Sequence, residues 1–425
     1  MDVLYPCCAG LDVHKDSVYA CVRRIGPGGA VRETVQVFGT MTPELLQLAD
    51  WLAGEGATHV AMESTGVYWK PVYYLLDERF ELVLANAQQL KRVPGRKTDT
   101  QDCAWIAKLL QHGLIAASFV PPEPQRDLRE LCRQRVQLGR QKAAVSNRIQ
   151  KVLEDANLKL GSVASDVLGK SGRAMLRGLI AGETDPEKLA ALALGRLRKQ
   201  LPRLRSALTG RVTEHHRFVL KLLLDEVEMI EGLMTRLEER IGAVLGPFAE
   251  AVRRWMTIPG VDLRTAQAAA AEIGTDMNRF PSECHLSAWA GMCPGNDESA
   301  GKRRSGKTPK GSPWLKRALV QAAWAASHTK NTYLSAYYRR LAARRGRKRA
   351  LVALGHTMLV IMYHLQRNAT DYTDLGGDYF ERRDKDKLTR RLLRRLESLG
   401  MKVTVESSEQ AAEQPPRDHR ADAGH

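Results

Sequence analysis

The stretch "GRKTDTQDCAWIAKLL", Gly95 to Leu110, places Asp99 and Asp102 three residues apart where an apolar helical pattern begins. Positions three apart share a helix face, so the two carboxylates point the same way. An acid near a helix N-terminus is favoured by the dipole, but paired acids in a chain of formal net charge +17 raise the question of what stands beside them. Upstream, residues 7–26, "CCAGLDVHKDSVYACVRRIG", read as a β-hairpin with its turn at His14 to Asp16 and with Val18, Ala20 and Val22 alternating. "AVRETVQVFG" alternates again and predicts a third strand. Thr42-Pro43-Glu44 opens a helix, with Thr42 as N-cap and Pro43 at the first helical position. "THVAMEST" is a short fourth strand ending near Glu63, Val67 to Leu76 is helical, "FELVLAN" makes a fifth strand, and the quoted stretch opens the next helix. Three strands, helix, strand, helix, strand, helix is the α/β order of a ribonuclease H-like layout.

In such a layout Asp12 on the first strand, Glu63 at the end of the fourth, and Asp99 and Asp102 on the last helix converge at one edge of the sheet. Four clustered carboxylates repel one another unless divalent cations neutralise them, and hard oxygen ligands suit Mg²⁺. Two such ions are common equipment for phosphodiester chemistry. Asp16 is the most plausible substitute for one of the four, although the turn carries it away from the sheet edge.

Pro121-Pro122-Glu123-Pro124 breaks the chain. From Arg126 to about Leu160 apolar residues recur at helical spacing (Leu128, Leu131, Leu138, Val145, Ile149, Val152), with Arg135 and Lys142 interrupting the seam. A second long helix runs through Val219, Leu223, Val227, Ile230, Leu237, Ile241 and Val244. Both look like coiled-coil arms, pairing either within one chain or between two. Gly161 to Pro202 is helical in composition only. "TIPGVDLRTAQAAAAEIG", after Gly246-Pro247, resembles a helix-hairpin-helix turn, whose backbone N–H groups can hold a phosphate. Lys387 to Leu399 reads as a short basic amphipathic helix, and the segment from Ser407 onward lacks core formers. The expected division is residues 1–122, 123–250, 251–370 and 371–425: an α/β metal domain, a helical coiled-coil linker and oligomerisation region, a mainly α domain, and a basic helix with a disordered tail.

The charge is concentrated. From Ala300 through Thr370 there are sixteen Lys and Arg and no Asp or Glu, which marks a polyanion-binding surface and points to double-stranded DNA. An anionic membrane would need a bulky apolar stripe, whereas the basic loop opening this window alternates with Gly and Ser. No run approaches the ~20 apolar residues of a membrane span. The N-terminus lacks a signal-peptide pattern, so a cytoplasmic, nucleoid-associated location is expected. The seven cysteines include no Cys-x-x-Cys pair and read as reduced, mostly buried thiols. His356 and His364 are eight apart, a spacing better suited to packing or phosphate contacts than to a metal pair. Trp289 and Trp314 flank the basic loop, where they can anchor the core or stack on bases.

"GLDVHKDSVYACV", "AMESTGVYW", "GRKTDTQDCAWIAKLL" and "IPGVDLRTAQAAAAEIG", with the segment "FPSECHLSAWAGMCPGNDESAGKRRSGKTPKGSPWLKRALVQAAW" that follows it, resemble the DEDD-type transposases of insertion-sequence family one-ten. The resemblance covers about Gly10 to Ile115 and Met256 to Gln366. It implies a RuvC-like metal domain in which Asp12, Glu63, Asp99 and Asp102 form the DEDD set, and a C-terminal domain whose nucleophilic serine matches Ser299. It also implies recombination through a serine–DNA intermediate, in some members guided by an RNA that the element encodes. A serine hydroxyl needs a base or metal to take its proton, and no histidine adjoins Ser299 in sequence; Ser305 and Ser312 are the alternatives. Lys302, Arg303, Arg304, Lys307, Lys310, Lys316 and Arg317 are the expected phosphate clamps, and several cuts held together imply a homodimer or tetramer. The rival readings are a metal-dependent nuclease of the Holliday-junction-resolvase kind, using water as nucleophile, and a non-enzymatic nucleic-acid-binding protein with a decayed acidic site.

Overall fold

The computed structural model describes residues 2–64, 66–86, 99–295, 297–299, 302–305 and 308–402. The chain forms two compact units, Met1–Pro121 and Pro122–His425.

The first unit is a mixed α/β layer. Strands β1 (Cys7–Val13), β2 (Ser17–Ile25), β3 (Val31–Gly39), β4 (His59–Glu63) and β5 (Glu81–Ala85) make one sheet in the order β3-β2-β1-β4-β5. β1 runs antiparallel to β2 and parallel to β4, and β5 runs parallel to β4. Alternation along β1 divides its residues between two faces. Ala9, Leu11 and Val13 point toward α1 (Thr42–Gly54) and α2 (Trp69–Leu76), where they join Leu45, Leu48, Leu52, Val72 and Leu76. Cys8 points the other way, with Ala61 and Ala85, onto Ile106, Leu109 and Leu110 of α3 (Asp99–Gln111). α1 starts one residue earlier than its sequence suggests. Met41 is the N-cap, and the Glu44 carboxylate reaches back to accept from the Met41 N–H at 3.0 Å, so Thr42 is already helical and its hydroxyl is not the cap.

The second unit is helical. Its two long arms, Glu123–Asp155 and Glu214–Val244, lie antiparallel along one another within the chain. Arg135 pairs with Glu238 at 3.0 Å, Lys142 with Glu231 at 2.7 Å and Arg148 with Glu226 at 2.9 Å. Numbers rise on one arm as they fall on the other, so the two cations that interrupt the apolar seam are the rungs that set its register. Along the ladder and beyond it, Leu138, Val145, Ile149 and Leu153 meet Leu220, Leu223, Leu224 and Val227 in a core completed by Met175, Leu176, Leu179, Leu204 and Leu208. The segment with only a helical composition thus builds a cap of short helices, Lys170–Ile180, Pro186–Ala191 and Leu201–Leu208. Its neck is closed: the Arg211 N–H donates to the Ala156 carbonyl (2.9 Å), the Lys159 N–H to the Ala207 carbonyl (2.8 Å), and His216 pairs with Asp155 (2.9 Å).

At the other end of the arms, Leu128, Cys132 and Ile241 join a larger core with Trp255, Ala266, Ala270, Leu315, Leu319, Met358 and Tyr363. Arg135 ties the arms to it. Its buried guanidinium donates to Glu238, to Gln267 Oε1 (2.5 Å) and to the Arg264 carbonyl (3.2 Å). The Pro259-Gly260 turn joins helix Ala249–Trp255 to helix Leu263–Ile273, the two-helix arrangement of the helix-hairpin-helix expectation. Its Ile258 and Val261 N–H groups bond to the Trp255 and Ile258 carbonyls, inside the turn. Gly260, at φ +87°, lies so close to helix Pro313–His328 that a Cβ would come within 2.5 Å of the Ala322 carbonyl oxygen and the Ala326 nitrogen. The turn is a packing joint. Helix Lys385–Ser398 bears out the predicted basic helix, and the tail from Ser407 lies outside the described residues.

Replacing Arg135 with Ala strands Gln267 and one oxygen of Glu238 without their donor. Because Arg264 still holds Glu238 at 2.9 Å, the expected loss is about 3 kcal/mol, the low end for breaking a buried pair. Urea denaturation followed by far-ultraviolet circular dichroism checks it. Arg135→Lys should recover little, since an ammonium cannot span the same three acceptors.

Candidate functional site

The carboxylate site is assembled from backbone register. β1 and β4 pair in parallel as far as Leu11 opposite Met62, so Asp12 and Glu63, the next residue on each strand, stand side by side. Alternation from Cys8 and Ala61 puts both on the face that α3 covers. α3 can approach because position 10 is glycine. A Cβ there would lie 2.3 Å from the Cys103 carbonyl oxygen and 2.4 Å from the Ala107 nitrogen. Cys103 and Ala107 pack with Cys21 at this crossing, and the residue preceding Cys103 is Asp102. Asp99 is the first residue of α3; its side chain lies outside the described residues.

Asp12 shows that the acids share an environment. Burial holds its carboxyl above the usual carboxylate range, the neighbouring His14 pulls it down, and the charges of Asp102 and Glu63 push it up again. His14 Nε2 lies 3.1 Å from Asp12 Oδ2, and its ring meets Tyr19 edge-on at 5.8 Å. Sequence reasoning treated His14 only as a turn residue; the Asp-x-His spacing at the end of β1 is the signal that could have found it. Asp16 is exposed in the turn. Among the described residues no group of three or more His, Cys, Asp or Glu is drawn together closely enough to hold a metal ion. The donor set nevertheless has the chemistry of a hard-cation site: oxygen ligands alone, partly buried, and mutually repelling.

In the second unit, Ser299 lies on a short strand, β6 (Asp297–Ser299), antiparallel to β7 (Lys302–Ser305). Ser299 stands opposite Lys302 and Glu298 opposite Arg303. What reads in sequence as a Gly-rich loop is therefore a hairpin, with Ser305 at its far end. The side chains of Ser299, Lys302, Arg303 and Arg304, and all of Lys307, lie outside the described residues. Lys310 and Arg317 are exposed. Lys316 is partly buried and spends its ammonium on the Gly291 carbonyl (3.4 Å) and the Thr308 hydroxyl, so it braces the chain around the hairpin. Ser312 caps helix Pro313–His328 by accepting from the Leu315 N–H (3.2 Å), and its hydroxyl donates to Glu272 (2.9 Å). Trp289 rests on Phe280, and Trp314 has the Arg133 and Arg140 guanidinium groups over its ring at 5.6 and 5.3 Å. His364 lies 4.0 Å from Glu283, and burial holds half-buried His356 below its usual range.

Two family models divide the chain in the same way as these features. Residues 9–158, with the carboxylate site, match the DEDD-type transposase model of the IS110 kind, and residues 252–339, with the serine hairpin, match the model described as transposase, IS116/IS110/IS902 family. The protein is a transposase. It belongs to the IS110/IS116 family, which implies an enzymatic role in rearranging DNA, with DNA as its partner. It is 26% identical over 370 residues to the transposase for insertion sequence element IS1111A of Coxiella burnetii, covering 85% of this chain and 90% of that relative. It is also 28% identical over 117 residues to an uncharacterised 43.6 kDa protein of insertion element IS110 from Streptomyces coelicolor, 27% of this chain and 29% of that one. No described helix is long and apolar enough to cross a membrane.

Gly10→Ala tests how the acids are positioned. The added methyl meets backbone on both sides, so α3 must move off the sheet. The expected cost is about 1–3 kcal/mol of stability, seen as a lowered melting temperature. Loss of DNA strand breakage should exceed what that destabilisation explains at a temperature where the variant remains folded.

Proposed function

We propose that the protein recombines DNA at the ends of its insertion sequence through a covalent serine intermediate, with the first unit as a ribonuclease H-like, RuvC-like metal domain. The observation that carries the reading is the convergence of Asp12, Glu63 and Asp102 on one face of the sheet, with Asp99 one turn earlier on the same helix. The strand order β3-β2-β1-β4-β5, with two antiparallel and two parallel neighbours, supports the fold assignment. Asp12, Glu63, Asp99 and Asp102 would hold Mg²⁺, two ions at full occupancy, which when bound supplies charge neutralisation for a phosphate under attack.

The chain's own part in the chemistry is positional. Lys302, Arg303, Arg304, Lys307, Lys310 and Arg317 would grip the DNA phosphates. Ser299 Oγ forms a bond to phosphorus while the bond to one sugar oxygen breaks, and that oxygen leaves as a hydroxyl. Attack of a different sugar hydroxyl on the phosphoserine rejoins the strands and returns the serine, so no ATP is consumed. The backbone pairing of Ser299 with Lys302 across the hairpin supports the reading. A guide RNA encoded by the element would choose the target, since no dedicated sequence-reading module is found among the described residues, and a homodimer or tetramer would hold the several cuts together.

The test uses purified protein, Mg²⁺, RNA transcribed from the flanking non-coding DNA, and end-labelled duplexes spanning the element junction and a target. On a denaturing gel, wild type should give a protease-sensitive label that migrates with protein, and Ser299→Ala, Asp12→Ala and added chelator should each abolish it. Cleavage without an adduct that survives Ser299→Ala but not Asp12→Ala would replace the serine mechanism with water attack, as in a resolvase-like nuclease. Unchanged cleavage by Asp12→Ala would remove the carboxylate site from the mechanism.

A further inference from the structure

Helix Pro313–His328 carries a second feature on the face that does not enter the core. Leu315, Leu319, Ala322, Ala323 and Ala326 are buried. Trp314, Arg317, Gln321, Trp324 and His328, spaced three and four apart, form the opposite stripe. Trp324 is 59% exposed, although burial of its ring would be favourable. His328 steadies it: Nδ1 lies 2.8 Å from the Trp324 carbonyl, and the two rings sit 4.6 Å apart. The stripe forms one wall of a cleft of about 590 Å³ whose other walls include Arg133, Arg264 and the Gly260 turn. That volume falls within the ~300–1,000 Å³ of small-ligand sites.

The charge in the cleft is positive once its acids are accounted for. Glu272 is bound through both oxygens by Arg133 (2.8 and 2.9 Å) and also accepts from Ser312. Asp262 caps helix Leu263–Ile273 by accepting from the Thr265 N–H at 2.8 Å. Arg317 has no carboxylate partner among the described residues, and the Arg264 side chain is 62% exposed beside its single partner Glu238. An open π-face, an exposed guanidinium and a side-chain amide in one row are what an unpaired nucleotide requires: a ring to stack on, a cation for its phosphate, and a donor–acceptor group for its base edge. A duplex keeps its base faces stacked and cannot use Trp324, and a lipid surface would need a continuous apolar stripe, which Arg317 and Gln321 interrupt.

From this row we infer that the cleft is a binding site for an unpaired nucleotide of a nucleic-acid strand, the base stacking on Trp324, its edge meeting Gln321 and its phosphate meeting Arg317. The inference rests on the reading of the protein as a nucleic-acid enzyme and adds Trp324 and Gln321 to it, with Arg317 shared between this cleft and the grip on DNA phosphates. The ligand chemistry is common to single-stranded DNA and to RNA.

The test measures fluorescence anisotropy of the full-length protein with labelled 20-mers of one sequence, as single-stranded DNA, single-stranded RNA and blunt duplex DNA. Trp324→Ala removes an exposed ring and should leave the melting temperature unchanged. It should weaken binding of one or both single strands by about 5- to 100-fold, the range for losing one stacking platform, and leave duplex binding within about twofold. Trp324→Phe should recover most of the loss, and the strand affected names the source. Equal losses for single strand and duplex, or none for either strand, would overturn the site. So would self-association in light scattering that Trp324→Ala abolishes while nucleic-acid affinity stays at the wild-type value. If wild type binds none of the three oligonucleotides, the nucleic-acid reading itself fails; if it binds duplex and single strand but Trp324→Ala changes neither, only the cleft is lost.

Discussion

The carboxylate site depends on the contact between Gly10 and the backbone of α3 at Cys103 and Ala107, where there is no room for a single additional carbon. Helix and strand meet there backbone to backbone, so α3 is held to the sheet, just after Asp102, by atoms that no side-chain rotation can relax. Asp102 comes next to Asp12 through this contact, and Glu63 comes there through the register of β4. Burial in this crossing, and after it the charges of Asp102 and Glu63, hold the Asp12 carboxyl above its usual range against the pull of His14. Where these acids stand is thus set by the backbone, through the close approach at Gly10 and the register of β4 on β1.

The second unit solves the opposite problem, that of packing a chain rich in arginine. Its acids are spent as internal pins. Glu226, Glu231 and Glu238 hold the arms in register, Glu272 gathers Arg133 and Ser312, and Arg135 is buried because three acceptors surround it. In the 300–370 window Lys310, Arg317, Arg344, Arg347 and Arg349 are exposed, while Arg340 pairs with Asp384 at 3.0 Å and Lys316 is spent on the Gly291 carbonyl and the Thr308 hydroxyl; a run of exposed cations suits a binder of polyanions.

Much of the first unit was legible in sequence because a strand buried against helices on one or both faces leaves a period-two record, as in β1, β2 and β4, and because short turns separate the elements. The start of α1 was misplaced by one residue, since Thr-Pro-Glu permits either a hydroxyl or a returning carboxylate as the cap. The four acids could be named from element order, whereas His14 was read only as a turn residue, its Asp-x-His spacing gaining meaning once the turn folds the ring back onto the Asp12 carboxylate. In the second unit, the arms announced themselves through their length, but Arg135 and Lys142 looked like flaws in the seam because their partners lie about a hundred residues away. The cap between the arms left no pattern, its helices being too short for periodicity to accumulate. The Trp324 stripe was hidden for another reason: its spacing matches that of an ordinary core face, and only the exposure of the ring tells the two apart.

The closed neck at Ala156 and Arg211 makes the segment between the arms topologically a self-contained insert. The arms leave and return at one point, their register is set by ion pairs below that point, and the segment brings its own leucines to share with the arm tips. A change in its length or sequence is thus absorbed locally, and the larger core at the opposite end of the arms does not register it. New contacts can be built there while the arm register set by Arg135, Lys142 and Arg148 stays as it is.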